Sequence, residues 1–168
     1  MLSLDRSSLE KHAARVDGRL KSDDPIWEQG DIRPATDIEV NGRLSSAGEG
    51  RFYFRGRFEG TVNTECRRCL KAVSPTVSEE LHLVLADAGD DEADDSDVYL
   101  IDPNSDEVDL RPAIREEWLL AAPAFALCRE DCKGLCPHCG ADLNLGPCGC
   151  EPETDRRWDV LEAAPRDD

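Results

Sequence analysis

Six of the chain's eight cysteines crowd into CREDCKGLCPHCGADLNLGPCGC at 128–150, and the other two sit in ECRRCL at 65–70. Two residues separate Cys66 from Cys69, and two separate Cys136 from Cys139. Such a turn puts both sulfurs on one side of the backbone, within reach of one ion at the ~2.3 Å of a Zn–S bond. Gly140, after the second thiol of its pair, tolerates the left-handed backbone that closes the turn. Leu70 fills the matching place after Cys69 less well. Structural zinc takes four tetrahedral ligands, so eight cysteines make two complete sets.

The local set is Cys136, Cys139, Cys148 and Cys150, with Asn144 and Gly146 turning the loop between its pairs. The C-x-C at 148–150 is tighter than the usual knuckle. The remaining set is Cys66, Cys69, Cys128 and Cys132, which would clamp elements distant in sequence. It closes a loop of about sixty residues, which weak contacts alone would fix at a large entropic cost. An alternative grouping joins Cys128 and Cys132 to Cys148 and Cys150. The expected cofactor is one or two Zn²⁺ ions.

Other thiol chemistries use the same residues. Cys66 and Cys69 can be read as a redox dithiol, its thiol pKa lowered by Arg67 and Arg68. Redox pairs usually open a helix, however, and this pair follows a Phe-rich strand pattern. An iron–sulfur cluster takes the same ligands. A catalytic zinc needs an open position, and neither set leaves one. His138 lies inside a knuckle and is expected to face solvent; His12 and His82 read as surface residues. The chain has no Gly-rich phosphate loop, no G-x-S-x-G and no H-E-x-x-H. The expectation is a non-enzymatic protein without a small-molecule substrate.

The elements that must hold these thiols are legible from periodicity. Residues 7–20 read as a helix, with Ser7 and Glu10 at capping-box spacing and Leu9, Ala13, Val16 and Leu20 on one stripe. Residues 36–85 change to period two. Ile38, Val40 and Leu44 alternate with polar residues; so do Phe52, Phe54, Phe58 and Val62, and then Val73, Val77, Leu81, Leu83 and Leu85. This pattern predicts antiparallel strands with one face in the core. SSAGEG at 45–50 reads as a hairpin loop, and Pro75 fits an edge strand or bulge. VYLI at 98–101 is one more short strand. A second helix spans 109–122, with Asp109 as N-cap and Leu110, Ile114 and Trp118 on one face. The fold class is α+β: an antiparallel sheet flanked by two helices, with a C-terminal cysteine-rich, zinc-ribbon-like module. The expected divisions are a core domain at 1–125, a metal-binding module at 126–152 and a polar tail at 153–168 anchored by Trp158.

Charge divides the chain. The balance is 20 − 37 = −17, which argues globally against nucleic acid and suits a binder of basic proteins. Residues 87–97 hold seven acids in eleven positions and are expected to be a disordered, solvated loop. Between Arg51 and Lys71 the sign reverses: Arg51, Arg55, Arg57, Arg67, Arg68 and Lys71 stand against Glu59 and Glu65. If Phe52, Phe54 and Phe58 face the core, then Arg51, Tyr53, Arg55 and Arg57 face outward together. Guanidiniums beside a phenol suit RNA, with cations on phosphates and Tyr53 stacked on a base, and Arg67, Arg68 and Lys71 are expected to add RNA-binding cations from the knuckle nearby. An ordinary charged face paired with acidic neighbours is the competing reading. No apolar run reaches the roughly 20 residues of a membrane span. The N-terminal MLSLDRSSLEKHAARVDGRL lacks a signal core. A cytoplasmic protein is expected, in which clustered cysteines read as metal ligands.

ECRRCL at 65–70, the acid-led DLRPAIREEWLLAAP at 109–123 and the C-x-x-x-C-K-G-L-C-P-x-C-G-x-x-L-N tail with its C-x-C resemble the YceD-like family. These are also called large ribosomal RNA subunit accumulation proteins. The resemblance covers about 5–150. It implies a non-enzymatic factor in large-subunit biogenesis, needed for normal 23S ribosomal RNA levels. It also implies association with the pre-50S particle or with a small basic large-subunit ribosomal protein.

Overall fold

Large apolar residues at every second position from Ile38 to Leu85 build three long strands, each with its apolar side sealed in one core. The computed structural model of the chain describes residues 1–48, 50–88 and 98–150. In chain order its elements are β1 (Ser3–Asp5), α1 (Arg6–Leu9), β2 (Ala14–Leu20), β3 (Ile38–Gly48), β4 (Arg51–Thr61), β5 (Thr64–Glu65), β6 (Ala72–Val73), β7 (Thr76–Asp87), β8 (Val98–Ile101), β9 (Glu107–Asp109) and α2 (Arg111–Ala121). The main sheet has five strands in the order β2-β3-β4-β7-β8. Its first four strands pair antiparallel, and β8 joins β7 in parallel, so the sheet is mixed at one edge. Two small ribbons, β1 with β9 and β5 with β6, complete the β structure of the described residues.

The parity expected of β4 and β7 is observed. Phe52, Phe54, Phe58, Leu81, Leu83 and Leu85 are buried, and Arg55, Arg57, Glu80 and His82 are exposed. Gly42 and Gly56 lie opposite each other on the inner face. A Cβ on Gly56 would fall 2.5 Å from the Phe54 ring, so the ring occupies the space the two glycines leave. Helix α2 closes the core with Ile114 and Trp118, preceded by the equally buried Leu110. The Trp118 ring lies 5.9 Å from that of Phe58, and its Nε1 donates to Ile32 O at 2.7 Å. Arg115 forks onto Asp31 at 2.7 and 2.9 Å, fixing the long connection between β2 and β3 to the helix.

Four expectations need correction. The helix expected over 7–20 is only the four-residue α1, capped by Asp5 rather than Ser7; from Ala14 the chain is strand β2. Val16 and Leu20 satisfy both a helical and an alternating period, and the seven-residue register with β3 decides between them. Gly18 faces the N-terminus, where a Cβ would stand 2.7 Å from Met1 N. The hairpin loop at 45–50 is shorter than expected, because Ser45 and Ser46 remain paired with β4 and a register shift follows at Gly48. Val73 belongs to the ribbon β6, and Pro75 sits between β6 and β7 with its carbonyl accepting from Val62 N. Helix α2 starts at Arg111 after Leu110, with no side-chain cap; the Asp109 carboxylate instead accepts from Arg111 N at 2.9 Å and from its guanidinium.

Asp87 is part of β7 and pairs with Arg6. The rest of the acidic run from 89, and the tail with Trp158, lie outside the described residues. Among the described residues, no helix is long and apolar enough to cross a membrane.

Candidate metal centre

Each C-x-x-C turn is built by the same backbone bonds. In the first, Cys66 N donates to Lys71 O and Leu70 N donates to Cys66 O, both at 2.8 Å. In the second, Cys136 N donates to Ala141 O at 2.8 Å and Gly140 N to Cys136 O at 2.9 Å. The residue after the second thiol is left-handed in both, at φ 57° for Leu70 and 72° for Gly140. Leu70 is the one non-glycine residue with positive φ among the described residues. Ribbon β5–β6 carries the first turn, and a single bridge from Leu135 to Asp142 carries the second.

The structure brings together Cys66, Cys69, Cys128 and Cys132, and separately Cys136, Cys139, Cys148 and Cys150. Within each group all sulfurs lie within 4.8 Å of one another. This is the first of the two groupings expected, not the crossed alternative. In the first group Cys66 Sγ is 3.8 Å from Cys132 Sγ, and Cys69 Sγ is 3.6 Å from Cys128 Sγ. Four sulfurs about 2.3 Å from a tetrahedral centre stand about 3.8 Å apart, so the spacing fits such an ion. It is far longer than a disulfide bond of about 2.05 Å. Cys66, Cys69 and Cys132 are buried while Cys128 is exposed; in the second group only Cys136 is buried.

The electrostatics also fit a cation. Burial disfavours the Cys66 thiolate, but the backbone N–H groups of Cys128, Arg68 and Cys69 outweigh it and lower the thiol to about 6. The N–H groups of Cys139 and His138 lower Cys136 to about 6 as well. Burial and the neighbouring sulfurs push Cys128 up to about 12. Cys139 beside it, then burial, push Cys150 up to about 12. Cys132 is lowered too, burial being outweighed by the Gly134 N–H and neighbouring side chains. Backbone dipoles thus favour thiolates at Cys66 and Cys132 in the first group and at Cys136 in the second, while burial and like charge oppose ionisation of Cys128 and Cys150. A divalent cation removes that opposition.

The two groups interlock. Lys71 Nζ meets Asp142 Oδ2 at 2.7 Å, tying the first turn to the second. Leu135 N donates to Arg68 O at 3.0 Å. Asn144, in the loop of the second group, donates to Cys132 Sγ of the first at 3.6 Å, while its Oδ1 accepts from Lys133 N at 2.9 Å. The spacing of the cysteines identified neither Asn144 nor Asp142 as supports. Their signal is a pair of short polar residues between two knuckles, where side-chain amide and carboxylate can serve the neighbouring turn.

The basic residues divide into two sets. Arg51, Tyr53, Arg55 and Arg57 point to the outer face of β4, as expected. Tyr53 Oη lies 2.6 Å from His82 Nδ1, and Arg57 pairs with Glu59 at 2.8 Å. Arg67, Arg68 and Lys71 are turned to the cysteine-rich segment. The Arg67 guanidinium lies 4.7 Å from the Phe125 ring centroid. Arg68 Nη1 donates to Cys132 O at 2.9 Å and Glu130 O at 3.1 Å. Arg68 and Lys71 therefore brace the knuckles.

A mixed sheet bearing two interlocked four-cysteine turns defines a class of small sheet protein with paired sites fit for structural metal. Residues 54–163, well over half of the chain and spanning all eight cysteines, match the family model described as large ribosomal RNA subunit accumulation protein YceD. The chain belongs to that family. Uncharacterized proteins of Mycobacterium bovis and of two strains of Mycobacterium tuberculosis are each 31% identical to it over 128 residues. The aligned part covers 74% of this chain and 60% of each relative, so the chain spans about 60% of the length of these curated relatives. No solved structure matches the chain.

Proposed function

We propose that the protein is a non-enzymatic, cytoplasmic factor in large-subunit ribosome assembly that supports accumulation of 23S ribosomal RNA. Two Zn²⁺ ions, one in each four-cysteine group, act as structural staples, and the C-terminal group forms a zinc-ribbon-like module. The observation that carries this reading is the interlock of the two groups in a chain of this family: Lys71 on Asp142 and Asn144 on Cys132 make one rigid unit of both turns. With an ion in each group all eight thiols would serve as ligands, which would leave no free dithiol at Cys66 and Cys69 for a redox cycle. Bound zinc would hold strand ends and the segment after α2 in fixed relation, a role in which coordination replaces apolar burial. The rigid surface so formed engages the pre-50S particle.

Gradient sedimentation of a gently prepared cell extract tests this. The protein is expected in fractions containing large-subunit precursors, and its depletion is expected to lower the ratio of 23S to 16S ribosomal RNA. A protein that stays at the top of the gradient, with the ratio unchanged on depletion, would refute the reading.

A further inference from the structure

The outer face of the sheet carries a row that no single strand reveals. In register, Arg15 of β2 stands opposite Arg43 of β3, Arg43 opposite Arg55 of β4, and Arg55 opposite His82 of β7. Three guanidiniums and an imidazole thus cross four adjacent strands, a span of about 14 Å at the usual strand spacing. All four residues are exposed.

Directly opposed like charges destabilise a sheet. The usual relief is a carboxylate in the next row, and elsewhere on this face it is present. Arg19 pairs with Glu39 at 3.0 Å, and Arg57 with Glu59 at 2.8 Å. Among the described residues Arg15 has only Asp17 at 3.9 Å, with both side chains largely in water. Arg43 and Arg55 make no ion pair among the described residues. Protection of a sheet edge explains a cation on β2, but Arg43 and Arg55 lie on interior strands. The fold gains nothing from this alignment, in a chain whose overall charge is −17.

On the hairpin side of the row the register-matched neighbours are Ser45, Tyr53 and Val84, all uncharged. On the other side come Asp17, Asn41, Arg57 and Glu80. Favourable potential for an anion is therefore concentrated on the row and toward Tyr53. A depression of about 450 Å³ adjoins the row on the side away from Tyr53, lined by Arg15, Arg43, Arg55 and His82 and, beyond them, by Asn41, Arg57 and Glu80.

We propose that Arg15, Arg43 and Arg55 bind the phosphodiester backbone of single-stranded RNA across the strands, with Tyr53 as the stacking platform for a base. Planar guanidinium forks match phosphate oxygens, and an aromatic ring beside them favours a nucleic acid over an acidic peptide. This rests on the large-subunit reading above and names its RNA-contacting face.

The test is fluorescence anisotropy of a labelled single-stranded RNA oligonucleotide of mixed sequence, with polyglutamate as the competing polyanion. The triple variant Arg15→Gln, Arg43→Gln, Arg55→Gln should lose at least about tenfold in affinity at low salt. Its slope of log K against log salt should shrink by about 2, three phosphates at about 0.7 each. Arg33→Gln, on an exposed loop away from the row, should change neither. The triple variant should melt no lower than the parent, since the substitutions remove repulsion. Unchanged affinity and slope, or polyglutamate binding as tight as RNA, overturns the proposal. If those results come while the parent still sediments with large-subunit precursors, the row fails and the assembly reading stands. If the row binds RNA but the protein never sediments there, the assembly reading fails instead.

Discussion

The side-chain amide of Asn144 donates to Cys132 Sγ at 3.6 Å, so a residue from the loop of one four-cysteine group supports a ligand of the other. A partner to a thiolate both orients it and spreads its charge, and losing one typically weakens metal affinity by about 10–100-fold. Asn144→Ala is expected to weaken the site at Cys66, Cys69, Cys128 and Cys132 by roughly that factor. No ligand is removed by the change. Competition with a graded chelator, followed site by site by cysteine alkylation and mass mapping, reads the effect. Loss confined to Cys136, Cys139, Cys148 and Cys150 would contradict the coupling.

Leu70 holds φ at 57°, a conformation that costs an L-residue about 1–2 kcal/mol. Glycine avoids that cost but loses about 0.5–1 kcal/mol through the unfolded chain. Leu70→Gly should therefore stabilise the protein by roughly 0.5–1 kcal/mol by that balance. Gly140→Ala should do the reverse, because a Cβ there meets no atom within 4 Å and only the backbone conformation at φ 72° opposes it. Urea unfolding midpoints at fixed zinc decide both signs.

Asp142 is held near a pKa of about 2, chiefly by its hydrogen bond from Lys71 and then by the N–H of Asn144. Its folded value lies below the ordinary aspartate value of about 3.9. The stabilisation is thus complete above that value and is lost as pH falls toward 2. Acid also protonates the thiols, so the comparison is with Asp142→Asn. The gap in unfolding midpoint between parent and variant should be constant near neutrality and close as pH falls toward 2. A gap independent of pH would mean that Lys71 contributes nothing through charge.

Trp118 is fully buried against Phe58 and bonded to Ile32 O. Trp118→Ala should cost about 3–5 kcal/mol, the usual range for emptying an aromatic core position. Trp118→Phe keeps a ring but leaves the Ile32 carbonyl without its donor, at about 1–3 kcal/mol. Metal content should be unchanged in both, since the core and the cysteine unit are separate apolar clusters. Calorimetry with elemental analysis checks both.

The sequence made some of this legible for physical reasons. Strand parity in β4 and β7 follows from Phe52, Phe54, Phe58, Leu81, Leu83 and Leu85, because a side chain at every second position has one face to occupy. Two sets of four cysteines followed from ligand count, but whether Cys128 and Cys132 join Cys66 and Cys69 or Cys148 and Cys150 is decided only by the fold. What stayed hidden depended on register. Val16 and Leu20 sit four apart, a spacing that fits helix and strand alike, and only pairing with β3 settles it. Gly18 was the available signal, since a mid-helix glycine is costly and the N-terminus packs against this one. The parallel partnership of β8 with β7 is a property of topology, absent from the pattern of VYLI. Arg15 and Arg43 join Arg55 only once three strands are aligned. Arg68 and Lys71 read as cations for RNA, yet their heads reach carbonyls and a carboxylate of a segment more than sixty residues away.

Everything turns on whether the eight thiols hold metal. Native mass spectrometry of the reduced, purified protein measures this directly. The predicted result is a chain carrying two zinc ions, its cysteines resisting alkylation until a strong chelator is added, whereupon the circular dichroism changes. A metal-free chain of eight freely alkylated thiols, with its fold and melting temperature indifferent to chelator, would contradict the account.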